Sequence, residues 1–283
     1  MQAIELKDVS FRYEGRQEKA VRNLNLRIEE GEFLLVLGST GAGKSTLLRL
    51  LNGLIPHFYK GDFQGDVLVD GINTKEASVA ELARHVGLVF QNPDNQLVAL
   101  TVEREIAFGL ENLGISRDEM RERVKRYLDV LKLDHLKEKP LYNISGGEKH
   151  LVALASVLVM EPKYLVLDEP TSELDPYSAR ALIEVIKRLH ESGKTIVVAE
   201  HRAELLASVA TRVVIMKEGV IVKEGRPEKV LFDLKLLKEC RIKPLRIVEI
   251  WNELKKRGID WIRPTLDEDV FLERISGGLI DRD

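Results

Sequence analysis

The stretch Gly38-Ser-Thr-Gly-Ala-Gly43-Lys44-Ser45-Thr46 decides how this chain folds. It follows the apolar run Phe33 to Leu37 and precedes the helical pattern Leu47 to Leu51. A strand, this glycine-rich loop and a helix, in that order, form the phosphate-binding P-loop. Its glycines let backbone N–H groups surround phosphate oxygens, its lysine reaches the terminal phosphates, and its serine ligates Mg²⁺. A glycine-rich turn without a ligand is the alternative, and the strand–helix context disfavours it.

Other apolar runs place this loop in an α/β fold. Tyr164 to Leu167 and Thr195 to Ala199 are short and continuous, as expected of parallel strands covered by helices on both faces. Segments 4–9 and 24–28 have strand-like spacing around a polar turn, which predicts an antiparallel hairpin, and segments 213–216 and 220–222 predict another. The segment between 102 and 132 has a helical pattern, in which Ser116 and Glu119 predict a capping box.

The predicted fold is therefore a P-loop core with a mainly parallel sheet, an antiparallel β subdomain, a helical subdomain and a small α-helical C-terminal extension. A change to charged amphipathic segments near Arg226 separates a cassette, 1–225, from the extension, 226–283. The helical subdomain is predicted at about 92–160. In the extension, Gly258 can end one helix, and Thr265 with Glu268 predicts the start of another. The first of these helices has an apolar face: Ile247, Val248, Trp251 and Leu254.

Two adjacent carboxylates, Asp168 and Glu169, end the run that begins at Tyr164. Burying adjacent charges without a cation costs several kcal/mol each. Asp168 therefore suits a direct or indirect partner of Mg²⁺, and Glu169 suits the base that orients the attacking water. For this motif alone, a strand that runs into an acidic loop remains an equal alternative.

A second glycine-rich segment, Ile144-Ser-Gly-Gly-Glu148, stands where a helical pattern begins. Glycines at this position are locally destabilising unless another group must approach the backbone closely. Ser145 as N-cap, with free N–H groups behind it, predicts an anion site. Ser145 and Glu148 also have the spacing of an ordinary capping box, and both interpretations can hold at once.

Composition excludes several classes of protein. The 43 basic residues face 46 acidic ones, a net charge of -3 that disfavours nucleic-acid binding. The single cysteine, Cys240, excludes an internal disulfide. The apolar run Leu151 to Met160 is about half of what a membrane span needs. The first ten residues do not read as a leader, so a cytoplasmic location is expected.

The order of these motifs resembles the nucleotide-binding subunits of ABC transporters over about residues 2–230. The matching segments are Gly38 to Thr46 (Walker A), Gln91 (Q-loop), Ile144 to Glu148 (signature), Asp168 and Glu169 (Walker B) and Ser172 to Asp175 (D-loop). Tyr13 matches the aromatic residue that stacks on adenine, and His201 matches the switch histidine that contacts the γ-phosphate. The resemblance implies an ATPase that uses ATP and Mg²⁺. In this family the signature of one subunit closes over the nucleotide held by another.

The motif matches and the residue chemistry together predict a complete site. The predicted catalytic residues are Lys44, Gln91, Glu169 and His201. The predicted metal ligands are Ser45, Gln91 and Asp168. The predicted nucleotide-binding residues are Tyr13, Gly38, Ser39, Thr40, Gly41, Ala42, Gly43, Lys44, Ser45, Thr46 and Asp175, with Ser145, Gly146 and Gly147 acting on the nucleotide of a second subunit.

The signature departs from the family pattern. Ile144 stands in place of the usual leucine and Glu148 in place of glutamine, and Lys149-His-Leu151 lacks the arginine that is common there. A carboxylate facing a triphosphate would repel it, so we expect Glu148 to turn back and cap its own helix.

Two further segments are similar to ATPases of energy-coupling-factor transporters, which import vitamins and transition-metal ions. They are Gln91-Asn-Pro-Asp-Asn-Gln96 and the stretch from Thr101 to Gly109. This resemblance implies a second ABC ATPase subunit, identical or paralogous, an integral membrane coupling subunit and a substrate-binding membrane subunit. It also implies a peripheral position at the cytoplasmic face of the cell membrane, with dimer contacts from the extension.

Two alternatives stay open. A soluble ABC ATPase acting in DNA repair or translation usually carries a long coiled-coil insertion or two cassettes, and this sequence has neither. A catalytically inactive regulatory partner is disfavoured because Lys44, Asp168, Glu169 and His201 are all present.

Overall fold

The computed structural model describes residues 2–259 and 261–280, with side chains described as far as Ser276. Residue 1 of the predicted cassette and residues 260 and 281–283 of the predicted extension lie outside the described residues.

The first 225 residues contain both strands and helices, as the apolar runs predict. The strands are β1 (Ala3–Tyr13), β2 (Val21–Glu29), β3 (Phe33–Leu37), β4 (Gly61–Val69), β5 (Ile72–Asn73), β6 (Val86–Val89), β7 (Tyr164–Asp168), β8 (Thr195–Glu200), β9 (Arg212–Lys217) and β10 (Val220–Gly225). The helices are α1 (Lys44–Leu51), α2 (Leu54–His57), α3 (Val79–Leu82), α4 (Val102–Asn112), α5 (Arg117–Val130), α6 (Gly146–Leu158), α7 (Pro176–Glu191), α8 (Pro227–Leu231), α9 (Leu234–Glu239), α10 (Arg246–Lys256) and α11 (Glu268–Ile280).

The core sheet has the strand order β10-β9-β3-β8-β7-β6, in which every neighbouring pair is parallel except the edge pair β10 and β9. The predicted mainly parallel sheet and the hairpin at its edge are confirmed. The second sheet, ordered β2-β1-β4-β5, is antiparallel throughout. The predicted pairing of β1 with β2 is confirmed, and β4 adds a partner on the other side of β1.

Strand β3 shows how one short run serves two cores. Leu34 and Val36 pack into the core beneath the antiparallel sheet, whereas Phe33, Leu35 and Leu37 pack into the core shared with the helical subdomain. Successive side chains of a strand point to opposite faces, so a continuous apolar run is required where both faces are covered.

Strand β6 is absent from the sequence prediction because it is short and contains Gly87. A Cβ at this position would lie 2.3 Å from Val157 Cγ1 and 2.8 Å from Pro162 Cγ. Glycine therefore lets helix α6 pack directly on the edge of the sheet, and the residue that weakens the strand signal is required by the packing.

Helices α4, α5 and α6 form the region between β6 and β7 that was predicted as helical. The predicted capping box at α5 is half right. Ser116 Oγ accepts a hydrogen bond from the Glu119 backbone N–H, but the Glu119 carboxylate pairs with Arg123 one turn later. The i, i+4 ion pair with Arg123 thus occupies the Glu119 carboxylate, which would otherwise complete the capping box.

The extension packs onto the cassette and shares its hydrophobic core. Helix α10 is followed by Gly258 with φ of 82°, which ends it as predicted. Trp251 packs within the chain, since its ring meets Phe232 and its Nε1–H donates to the Ile262 carbonyl at 2.8 Å. Asp267 rather than Thr265 caps α11, because the helix begins at Glu268 and Asp267 Oδ1 accepts from a first-turn N–H. Within the described residues, no helix is long and apolar enough to cross a bilayer.

Candidate nucleotide-binding and hydrolysis site

The parallel strands β3, β7 and β8 end at the same edge of the core sheet. The P-loop follows β3, Asp168 and Glu169 stand at the end of β7, and His201 follows β8. Open α/β sheets bind ligands at the carboxyl ends of their strands. The topology therefore brings together side chains that are more than 100 residues apart in sequence.

A cleft of about 350 Å³ lies at this edge, and its lining contains most of the predicted phosphate-site residues. The lining residues are Ala20, Thr40, Gly41, Ala42, Gly43, Lys44, Ser45, Thr46, Gln91, Glu169 and His201. A larger hollow of about 540 Å³ runs along residues 12–16 and 60–62 but contains none of the P-loop. Of these two hollows, the smaller cleft holds the P-loop amides and the lysine, so it is the candidate phosphate site.

The amino end of helix α1 is built to receive an anion. Its N-cap, Gly43, has φ of 101° and makes no side-chain capping bond. A Cβ there would lie 2.7 Å from the Ala20 carbonyl oxygen, so this position requires glycine for both conformation and space. The first N–H groups of a helix have no intrahelical acceptor, and here no side chain takes that place. The P-loop therefore leaves backbone donors for phosphate oxygens.

Lys44, Glu169 and His201 form one connected group inside the cleft. The Lys44 Nζ donates to the Gly38 carbonyl at 2.8 Å and lies 3.1 Å from Glu169 Oε1. His201 Nε2 is 2.7 Å from the same carboxylate oxygen. Lys44 and Glu169 are almost fully buried, at 4% and 6% exposed, so each compensates the charge of the other. Glu169 is thus held between two cationic or N–H donor groups.

The backbone of Glu169 is strained. Its φ of 47° lies in the left-handed region, which costs a non-glycine residue on the order of 1–3 kcal/mol. Its N–H donates to the Ala199 carbonyl at 2.9 Å, which extends the β7–β8 ladder by one bond. Such strain is concentrated at functional sites. Here the left-handed backbone conformation directs the Glu169 carboxylate into the cleft beside Lys44.

Ser45 and Asp168 make the side of the cleft that suits a metal. Ser45 Oγ donates to Asp168 Oδ1 at 3.1 Å. Burial raises the pKa of Asp168, and the Ser45 hydrogen bond opposes that rise. Hydroxyl and carboxylate oxygens suit Mg²⁺, which takes its other ligands from phosphates and water. Among the described residues, no cluster of three acidic, histidine or cysteine side chains could hold a metal by itself. These donors therefore fit an ion that arrives with the nucleotide.

Gln91 and Tyr13 lie at the borders of the phosphate cleft. Gln91 lines it, with Nε2 donating to Ser172 Oγ at 3.4 Å. Tyr13 does not line it, but its hydroxyl lies 3.1 Å from Thr46 Oγ1 on helix α1. The ring therefore stands next to the P-loop helix, and its stacking on adenine stays a prediction.

The signature segment starts helix α6 with a complete capping box. Ser145 Oγ accepts from the Glu148 N–H at 3.3 Å, and Glu148 Oε2 accepts from the Ser145 N–H at 2.6 Å. The second of these bonds is the main reason why the pKa of Glu148 lies below its usual range. The expectation that Glu148 turns back onto its own helix is confirmed.

The two glycines of the signature segment have different steric surroundings. A Cβ at Gly146 would meet nothing within 4 Å, whereas at Gly147 it would lie 2.9 Å from Ser178 Oγ. Packing against helix α7 therefore favours glycine at position 147, and a role of either glycine toward phosphate stays a prediction. Ser145, Gly146 and Gly147 do not line the phosphate cleft of their own chain.

Asp175 is committed to helix α7. Its Oδ1 accepts from the N–H groups of Tyr177 at 2.9 Å and Ser178 at 3.1 Å, so it is the N-cap. Hydrogen bonds from Ser178 lower its pKa. It does not line the phosphate cleft, and a contact between its carboxylate and nucleotide stays a prediction.

Glu200 is a site residue that the sequence reasoning missed. It is 2% exposed, and its carboxylate accepts from the backbone N–H and hydroxyl of Thr171 and from the His201 N–H. Burial raises its pKa. It therefore ties the segment after β7 to the switch histidine. The sequence could have indicated this residue, because Glu200 follows an apolar run just as Asp168 does.

Residues 92–96 dock on the signature helix. Gln96 accepts from the Phe90 N–H at 3.1 Å and donates to the Ala153 carbonyl at 3.0 Å. Asp94 pairs with Lys149 at 2.7 Å. A displacement of the segment after Gln91 would therefore be passed to the helix that carries the signature.

Comparison with known proteins identifies the family of this arrangement. The family model for ABC transporter matches residues 21–172. A Pyrococcus horikoshii protein described as an ABC transporter ATP-binding protein is 50% identical over 260 residues, covering 92% of both chains. A Pyrococcus abyssi protein with the same description is 48% identical over 260 residues, covering 92% of this chain and 93% of its own.

Solved structures agree with these relatives. The structure of cbiO1 from Clostridium perfringens, described as part of the ABC transporter complex cbiONQ, matches with a TM-score of 0.73 and 32% identity, covering 88% of this chain and 98% of that one. The dimeric cassette MJ0796 bound to ADP and Pi matches with a TM-score of 0.69 and 30% identity, covering 79% and 98%. The chain belongs to the ABC transporter family as an ATP-binding subunit, an ATPase that uses ATP with Mg²⁺.

Proposed function

We propose that this chain energises an energy-coupling-factor importer of vitamins or transition-metal ions, from the cytoplasmic face of the cell membrane. The observation that carries the proposal is the likeness to cbiO1, which covers 88% of the chain and whose own description places it in a transporter complex. The segment from Gln91 to Gln96, which resembles the same group, contacts helix α6 through Gln96, and this contact supports the proposal.

In this proposal the P-loop amides and Lys44 bind the terminal phosphates of ATP. Ser45, Asp168 and Gln91 would hold Mg²⁺, which would supply positive charge to neutralise the phosphates. Glu169 accepts a proton from the attacking water, and His201 holds both that carboxylate and the γ-phosphate. Tyr13 stacks on adenine. The 2.7 Å contact between His201 and Glu169 supports the pairing of these two roles.

A second ATPase subunit, identical or paralogous, completes each site. ABC ATPases function as dimers with membrane components, and MJ0796 is a dimer in its structure. In the proposed assembly, the amino end of α6 closes over ATP held by the partner. Ser145, Gly146 and Gly147 would face that nucleotide, and Gly146 has open space around it. The extension would add contacts between the two ATPases.

A groove beside the metal side of the site is the proposed contact for the integral membrane coupling subunit. It has a volume of about 460 Å³, and Phe58 on its rim is 72% exposed. The lining residues are Ser45, Arg49, Leu54, Phe58, Tyr59, Phe90, Gln91, Asn92, Asn95 and Asp168. Gln91 lines both this groove and the phosphate cleft. A movement of the membrane subunit in the groove would therefore displace Gln91 and change its contacts with bound ATP.

Co-purification tests the proposal. The tagged chain should bring down an integral membrane coupling subunit and a substrate-binding membrane subunit from detergent-solubilised membranes. Phe58→Glu should lose these partners and keep ATP hydrolysis by the isolated chain. Val130→Glu alters an apolar side chain that is 53% exposed on α5, and it should keep both. Recovery with ribosomes or DNA instead would overturn the transport function.

A further inference from the structure

Arg49 lines the groove proposed for the membrane coupling subunit, and it stands one helical turn after Ser45 on α1. Residues four apart share a helix face, so Arg49 points toward the same side of the molecule as the metal-binding serine. Its NH1 donates to the Tyr13 hydroxyl at 3.1 Å, and its guanidinium carbon lies 4.4 Å from the centre of the Tyr59 ring. The guanidinium thus joins the P-loop helix to two aromatic rings.

These contacts hold Tyr13 from several directions. Its hydroxyl accepts from Arg49 and can donate to Thr46 Oγ1 at 3.1 Å. The edge-on contacts of its ring are with Phe11, at 4.8 Å between centroids, and with Tyr59, at 6.1 Å. A ring fixed before a ligand arrives loses little rotational freedom on binding, and affinity rises accordingly. The arrangement therefore prepares a flat apolar face at the edge of the P-loop.

The position of Arg49 is itself constrained. Its Nε is buried, with no hydrogen-bond partner in the part of the chain that the structure describes. A buried donor without an acceptor is unfavourable, and the long arginine side chain could relieve it by swinging toward water. The stacking on Tyr59 and the hydrogen bond to the Tyr13 hydroxyl offset this cost.

We propose that Arg49 is a positioning residue that fixes the Tyr13 ring as the platform for adenine and so sets the affinity for ATP through its base. The inference rests on the proposed stacking role of Tyr13. Arg49 itself touches neither the base nor the phosphates. Its removal should therefore weaken binding of a ligand that carries a base more than binding of one that does not.

The test compares a ligand with a base and one without. Isothermal titration calorimetry on the full chain measures Mg²⁺ with the β,γ-imido analogue of ATP, and Mg²⁺ with inorganic tripolyphosphate. Arg49→Met should weaken binding of the ATP analogue about tenfold. Tripolyphosphate binding should stay within about twofold of the unaltered chain. In steady-state hydrolysis, KM for ATP should rise by the same factor while kcat holds.

Three variants serve as controls. Arg49→Lys keeps the charge and a donor, and should recover part of the affinity. Tyr13→Phe removes the hydroxyl, so Arg49→Met should add little further loss in that background. Arg12→Met removes an exposed charge next to Tyr13, one that pairs with Asp62 at 3.7 Å, and should leave both ligands unaffected.

The outcomes separate the two claims. If Tyr13→Ala binds both ligands as the unaltered chain does, the adenine role of Tyr13 is wrong and the inference falls with it. If Tyr13→Ala selectively weakens the ATP analogue but Arg49→Met does not, only the role of Arg49 is wrong. Equal weakening of both ligands by Arg49→Met, or full loss in Arg49→Lys, would also overturn it.

Discussion

Helices α1 and α6 both begin after a glycine-rich segment, yet their amino ends differ. At α1, Gly43 is the N-cap and no side chain accepts from the first N–H groups. At α6, Ser145 and Glu148 close a capping box, and Glu148 brings a negative charge to the helix end. The first end is open for an anion and has Lys44 beside it. The second is partly satisfied and carries a negative charge, so it offers an anion fewer donors and less electrostatic attraction.

The largest effect should come from the carboxylate beside the open helix end. Glu169→Gln removes the proposed base, and turnover should fall by about 10²- to 10⁴-fold. ATP binding should persist, because the P-loop amides and Lys44 are unchanged. Steady-state phosphate release and equilibrium nucleotide binding measure the two quantities. Glu191→Gln, on the exposed carboxyl end of α7, is the matched control, and equal turnover in both variants would remove Glu169 from this role.

Replacing a glycine by alanine at the amino end of α1 and of α6 compares the two helix ends directly. Gly43→Ala forces alanine to φ of 101° and places its Cβ 2.7 Å from the Ala20 oxygen. Stability should fall by about 1–3 kcal/mol, and nucleotide binding should weaken with it. Gly146→Ala meets open space, so stability should hold or rise by up to about 1 kcal/mol.

Turnover by the assembled dimer should nevertheless drop in Gly146→Ala, because in the proposed dimer the new methyl group would face the partner's nucleotide. Thermal unfolding and ATPase assays report the two effects separately. A stable Gly43→Ala variant with normal ATP binding would contradict the account of the P-loop. Full turnover in Gly146→Ala would contradict the proposed role of the signature.

The smallest effect concerns the cap on α6. Glu148→Ala should lower stability by about 0.5–1 kcal/mol, and Glu148→Gln by less, because glutamine also fits a capping box. The pKa of Glu148 is lowered in the folded chain. Its contribution is therefore present above the unfolded-state pKa of about 4.3 and is lost as pH falls through the folded value. Urea unfolding at pH 7 and at pH 3 should show the Glu148→Ala difference shrinking at the lower pH.

Local patterns predicted the parts of the fold that short segments specify. The runs at 33–37, 164–167 and 195–199 became parallel strands, and the hairpin of β1 with β2 formed as expected. Strand β6 was missed because Gly87 interrupts its apolar run. The cap of α11 was placed two residues early, since Thr265 and Asp267 both have the chemistry of an N-cap. Local chemistry alone does not choose between neighbouring capping residues.

By itself, the sequence determined the P-loop, the acidic pair and the order of motifs, because a strand, a glycine-rich turn and a helix act within ten residues. Only the tertiary structure decided that Gly147 packs against Ser178, that Glu200 holds Thr171 and His201, and that Arg49 meets Tyr13. The reason is distance along the chain. Contacts between segments tens of residues apart depend on how strands are ordered and helices packed, which no local pattern records.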